Sequence, residues 1–156
     1  MHPAYTVREL LPAEPLPWPL LLLADPSVET VRGYVASSRI WVAVSAEVMV
    51  GVCVVELQTE TRAEIRNLAM AAEWQGSGLG KELLRFAAEQ AQQQGLRMLR
   101  VCTGNSSLGP LALYQKMGFD LVDLQRHFFT RHYPEPIWEN GILCQHRLVL
   151  EKELFA

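Results

Sequence analysis

Residues 75–80 read Gln75-Gly76-Ser77-Gly78-Leu79-Gly80, three alternating glycines followed at once by a helical pattern. Glycine lets a backbone take up positive φ and approach a ligand closely. Amides exposed at a helix start favour an anion, phosphate above all. The string therefore points to a phosphate-bearing ligand held largely by main chain; a glycine-rich turn without a ligand is the plainer alternative. A nucleoside-triphosphate loop would need glycine at 75 and Ser or Thr at 82, where Gln75 and Glu82 stand, although Lys81 is in place. A dinucleotide fingerprint fails too, because no start at Gly76 or Gly78 supplies the third glycine.

Working outward, Leu79 to Gln94 carries one apolar stripe of Leu79, Leu83, Ala87 and Ala91, with Leu84 and Ala88 beside it. Lys81, Glu82, Arg85, Glu89 and Gln92 take the other faces, and Gly95 is placed to end the helix. Upstream, the β-rich runs Ile40–Ser45 and Val48–Gln58 are separated only by Ala46 and Glu47, which predicts a hairpin without the usual Asn-Gly turn. Ala63–Met70 completes an antiparallel meander, with alternation partial enough to expect an irregular end. Before these lie a short strand in Ala4–Leu11, a proline-spaced segment and an apolar helix at Trp18–Ala24. Asp25 and Pro26 read as the cap and first position of a second helix running to about Val35.

Downstream, Arg97–Thr103 reads as a buried strand and Asn105-Ser106-Ser107 as a turn. Pro110 and Gly118 bracket a short helix. Phe119–Leu124 and Ile142–Leu150 read as final strands, separated by a long loop rich in aromatics and histidine and closed by Asn140-Gly141. The order predicts a mixed α/β sheet with flanking helices. With no repeat and no linker, 1–156 is expected to form one domain.

Composition narrows the class. A hydrophobic content of 49% against 20% charged describes a folded chain. The net charge of −3 without a basic run denies nucleic acid its usual electrostatic partner. The apolar run Leu20–Ala24 is too short for a membrane span, and its acidic, proline-rich approach does not suit a signal peptide. A cytoplasmic protein with no membrane partner is the expectation. Cys53, Cys102 and Cys144 lie far apart in apolar stretches, as buried reduced thiols do.

The loop fits one further pattern: Gln or Arg, two residues, Gly, one residue, Gly or Ala, here Gln75, Gly78 and Gly80. It resembles the pyrophosphate loop of the GCN5-related N-acetyltransferase (GNAT) family. Ala112-Leu113-Tyr114-Gln115-Lys116-Met117-Gly118-Phe119, preceded by Asn105, resembles that family's second acetyl-CoA segment. The resemblance covers Ile40 to Phe119 well and the two ends only by their pattern of strands and helices. It implies an acyl-CoA N-acyltransferase fold: a mostly antiparallel sheet in which two neighbouring parallel strands, Ala63–Met70 and Arg97–Thr103, splay apart. The pantetheine arm of acetyl-CoA would lie in that gap, bonded by the backbone of Leu68, Ala69 and Met70. Amides of Gly76, Ser77, Gly78, Leu79, Gly80 and Lys81 would take the pyrophosphate beside Gln75, and Asn105 would contact the cofactor from the other side.

The implied reaction is acetyl transfer to a primary amine by direct attack, since no cysteine is placed to form an acyl-enzyme. An alkyl amine has a pKa of about 10.4 and arrives mostly protonated. Glu64 is the candidate base, directly or through water. Its position also suits an ion pair with Arg62 or Arg66. Tyr114 would hydrogen-bond the leaving thiolate; otherwise it packs beside Met117. The alternative from another class is a binding module that keeps the fold without turnover. Among features set aside, His127, His132, Cys144 and His146 match no compact metal spacing, with Cys144 and His146 expected on one strand face. Glu135, Trp138 and Glu139 are candidate acceptor contacts, or part of a packed loop or homodimer seam. Trp41 and Trp74 read as packing residues.

Overall fold

The computed structural model describes residues 2–155. A seven-stranded sheet runs in the order β1-β2-β3-β4-β5-β9-β6. Its strands are β1 Thr6–Glu9, β2 Ser38–Ser45, β3 Val48–Leu57, β4 Arg62–Met70, β5 Met98–Gly104, β6 Asp120–Gln125 and β9 Arg147–Glu153. All neighbours are antiparallel except β4 and β5. Trp138–Glu139 (β7) and Ile142–Leu143 (β8) form a separate two-stranded ribbon. The helices are α1 Trp18–Ala24, α2 Val28–Val35, α3 Leu79–Gln93, α4 Leu108–Lys116 and α5 Phe128–His132.

The sheet has a distinct apolar layer on each face. On one, Leu79, Leu83, Leu84, Ala87 and Ala91 of α3 are buried against Ala43, Val50, Ile65 and Val101. Each fully buried leucine there contributes about 1.5–3 kcal/mol. Gly51 lets α3 come close: a Cβ there would stand 3.0 Å from Leu83 and 3.1 Å from Leu79. On the other face, Leu20 and Leu21 of α1 and Val31 and Tyr34 of α2 cover Val42, Val52, Val54 and Ala69. Helix α3 stops where expected. Gly95 sits at φ 81°, its amide bonded to Gln92, while Leu96 N donates to Ala91 O, the paired bonds of a left-handed helix terminus.

Several boundaries differ from the sequence reading. Helix α2 is capped by Ser27, whose hydroxyl accepts from Thr30 N, rather than by Asp25, whose carboxylate instead receives the Ser27 amide. Pro110 lies in the third position of α4, not the first. The Ala46-Glu47 turn does form, with both residues at positive φ, a conformation usually left to Asn-Gly. The expected strand Ile142–Leu150 is broken. Its first two residues pair with β7 and Arg147 onward with β9's neighbours, so Cys144 and His146 lie in neither strand and share no strand face. Helix α5, inside the long loop, has no clear periodic signal. No helix among the described residues is long and apolar enough to cross a membrane.

Candidate functional site

The parallel pairing of β4 with β5 ends at Ile65 and Val101, although β4 runs on to Met70 and β5 to Gly104. Beyond that point the strands diverge and open a cleft of ≈ 790 Å³ through the sheet. The cleft-side amides and carbonyls of β4 are free of a strand partner there, because β4 spends only its other edge on β3. An unpaired strand edge is a ready acceptor for the amides of an extended ligand.

A bulge decides which side chains enter. Val54 pairs with Asn67 and Val55 with Ile65, so Arg66 is the extra residue. The irregularity expected in this strand is real, and it turns Arg66 and Asn67 toward the same face. Ile65 and Leu68 pack with α3. On the opposite face Asn67 Nδ2 donates to Leu21 O at 2.9 Å and to the Tyr34 hydroxyl at 3.0 Å. Arg66 lies over the Tyr34 ring at 4.7 Å, with Nε 3.2 Å from Glu64 Oε2 and Nη1 2.8 Å from Glu56.

Glu64 lines the cleft and is buried, its Oε1 accepting from Gln58 at 3.0 Å. The ion pair with Arg66 expected as its alternative role is therefore present together with its place in the cleft. Oε1 also receives the Cys102 thiol at 3.9 Å, whereas Oε2, bonded to Arg66 alone, retains a lone pair for a further donor. Tyr114 reaches the cleft from α4, on the α3 side, buried edge-on to Phe119 at 6.0 Å. Burial pushes its phenol well above the ordinary range, so it stays protonated. Its hydroxyl has no hydrogen-bond partner among the described residues.

Leu68, Ala69, Met70, Gln75 and Gly76 line the cleft. Ser77, Gly78, Leu79, Gly80 and Lys81 do not; they follow directly as the turn and first residues of α3. Gly76 and Gly78 stand at φ 76° and 91°, which explains glycine at both. Gly80 is explained by space: a Cβ would lie 3.0 Å from Met70 Cε and 3.2 Å from Leu113. The first-turn amides of α3 have no intrahelical acceptor, as at any helix start. The Ser77 hydroxyl is engaged locally, donating to Trp74 O and accepting from Leu79 N.

Two sequence expectations are corrected. Asn105 does not line the cleft. Its Oδ1 accepts from Gln145 N and His146 N at 2.8 and 2.9 Å, and its Nδ2 donates to Leu143 O, so it fastens the 143–146 segment to the end of β5. Cysteine is also present where none was expected, since Cys102 and Cys144 both line the cleft. Cys102 Sγ lies 3.9 Å from Glu64, and burial pushes its thiol up to about 11. At neutral pH it is a thiol, a poor nucleophile.

Of the acceptor candidates, Glu139 lines the cleft and accepts from the hydroxyls of Ser106 and Ser107 at 3.3 and 2.9 Å. Trp138 and Glu135 are exposed and do not line it. His146 Nδ1 accepts the His127 amide at 2.9 Å. Among the described residues no three His, Cys, Asp or Glu side chains gather as for a metal. Sequence reading missed Asp25, Tyr34, Tyr133 and Arg147, which converge from four segments. Tyr133 donates to Asp25 at 3.3 Å across 108 residues, and burial raises the Asp25 carboxyl. No local pattern announces such a meeting.

The arrangement can therefore hold an extended, amide-bearing ligand along β4. A phenol approaches it from one face of the sheet and a carboxylate from the other. The sequence matches the acetyltransferase (GNAT) family model over residues 5–119. YvbK of Bacillus subtilis, an uncharacterized N-acetyltransferase, is 39% identical over 135 residues, 86% of this chain and 87% of its own. A GNAT family acetyltransferase from Elizabethkingia anophelis, solved with acetyl-CoA bound, superposes with a TM-score of 0.93 at 39% identity, covering 96% of this chain and 97% of that one. A Bacillus cereus protein described as an IAA acetyltransferase superposes at 0.92 with 41% identity, over 96% and 99%.

Proposed function

Because the chain belongs to the acetyltransferase (GNAT) family, we propose that it holds acetyl-CoA along the α3 side of the cleft and moves the acetyl group onto an amine entering from the α1–α2 side. It is an acetyl-CoA-dependent acetyltransferase: its relatives are named acetyltransferases, and the one from Elizabethkingia anophelis is solved with acetyl-CoA bound. The observation that carries the residue assignments is the cleft itself, open through the sheet between the diverging ends of β4 and β5. On the free edge Leu68 and Met70 bond the pantetheine amides, while Ala69, between them, turns its own amide and carbonyl to Val52 of β3. Gln75 and Gly76, with amides from Ser77 to Lys81, receive the pyrophosphate. The carbonyl of the thioester is polarised by a strand amide, that of Met70.

Attack is direct. The amine loses its proton to Glu64, straight or through a bound water, and adds to the thioester carbon. The carbon–sulfur bond then breaks, and Tyr114 hydrogen-bonds or protonates the departing thiolate. A group aimed at developing charge in a dry site contributes more than the same group in water. Asn105 acts by fastening the segment that carries Cys144 and His146. Release of free coenzyme A thiol from acetyl-CoA across a panel of primary amines tests the assignment. Acetyl-CoA binding without thiol release from any amine would sink it in favour of a non-catalytic binder.

A further inference from the structure

The acceptor side of the cleft holds two guanidinium groups in unlike states. Arg66 is neutralised by Glu56 and Glu64. Arg147 also lines the cleft, yet among the described residues no carboxylate lies within ion-pair distance of it. It is held in place by uncharged groups. Its Nε donates to Gln125 Oε1 at 2.6 Å, and its guanidinium carbon stands 3.9 Å from the centre of the Phe128 ring. The residue opposite it on β5 is Gly104, which has no side chain to cover it.

A guanidinium fixed through Nε and by stacking still presents its two terminal nitrogens, a planar fork that matches a carboxylate in bidentate fashion. A half-buried cation without a counter-charge costs free energy that an arriving anion recovers. The surroundings select among anions. Glu64, Asp25 and Glu139 also line the cleft and would repel a phosphomonoester dianion more strongly than a single negative charge. Phe128, Phe129 and Tyr133 continue from Arg147 as an aromatic wall, ring centres 5.2 and 5.6 Å apart, so an apolar body fits beside the fork.

We infer that Arg147 is the carboxylate-binding residue of the acceptor site, and that the acceptor is an amine which itself carries a carboxylate. This rests on the acetyl transfer to an amine proposed above. The test uses free amino acids, each beside its carboxamide, with acetyl-CoA and the whole chain. Thiol release gives kcat/KM, and calorimetric titration into the coenzyme A-loaded protein gives affinity. The free acids should be preferred by about 10–100-fold, the range expected of a charge-assisted hydrogen-bonded pair. Arg147→Gln should bring the acid-to-amide ratio close to one, and Arg147→Lys should keep part of it, with coenzyme A affinity reporting on folding. Carboxamides used as well as acids, a preference that survives Arg147→Gln, or acids that do not bind at all would each overturn the assignment. Acids that bind through Arg147 but are never acetylated would leave the assignment standing and defeat the transfer reading instead.

Discussion

The two sides of the cleft are built by different means. On the α3 side the work falls to main chain: a strand edge left unpaired at Leu68–Met70, two glycines at positive φ and a helix start. On the α1–α2 side it falls to side chains from five segments, with Asp25, Tyr34, Glu64, Tyr133 and Arg147 meeting around a bulge. Main-chain recognition tolerates change in most side chains and suits a ligand that stays the same. Side-chain recognition changes with single substitutions and suits the partner that sets specificity. On the proposed reading, the main-chain side takes the cofactor and the side-chain side takes the acceptor.

If the division is right, substitutions on the two sides separate in kinetics. The largest effect belongs to Tyr114→Phe, which should lower kcat by about 10²–10³-fold, as losing one preorganised donor does. Calorimetry should find acetyl-CoA affinity changed by less than about threefold. An unchanged kcat would remove Tyr114 from the chemistry. Next comes Gly104→Ala. Its new Cβ would run into Cys144 Sγ, a buried neighbour, so urea unfolding should report a loss of about 1–3 kcal/mol.

Asn105→Ala should also cost about 1–3 kcal/mol through the bonds it makes to residues 143–146. It sharpens the comparison further. As a fastening residue of the acceptor side, it should raise KM for the amine more than that for acetyl-CoA. The reverse ratio would return Asn105 to the cofactor.

The smallest effect is one of pH. Burial lifts Cys53 to about 12 and Cys102 to about 11 from an ordinary 9.0, so the folded chain holds both protons more tightly than the unfolded chain. Their contribution to stability is complete below pH 9.0 and is lost as pH rises through the folded values. Thermal melts should show a fall above that pH which Cys53→Ala makes shallower.

The same division explains what the sequence made legible. The cofactor side is local in sequence. Alternating glycines announced Gly76 and Gly78, and the 3.6-residue stripe from Leu79 to Ala91 placed α3 with its left-handed stop at Gly95. The acceptor side is not local. Asp25 looked like a helix cap because an Asp-Pro pair before an apolar run usually is one; Ser27 takes the cap instead, and Asp25 accepts from the Ser27 amide and, across the chain, from Tyr133. Arg147 looked like one residue of a long final strand, since nothing in Ile142–Leu150 marks the break at Cys144–His146. Asn105 was assigned to the cofactor by motif, yet its bonds run to carbonyl and amide groups some forty residues away. Tyr114 was singled out by its place in the motif, and it is buried in the wall of the cleft.

Both substrates are proposed to occupy one cleft together, from opposite faces of the sheet. Initial rates of thiol release with acetyl-CoA and the amine varied against each other test it most directly. Transfer in a ternary complex predicts double-reciprocal lines that intersect, in the native chain and in Cys102→Ala alike. Parallel lines, the sign of an acetyl group parked on the protein before the amine arrives, would contradict it.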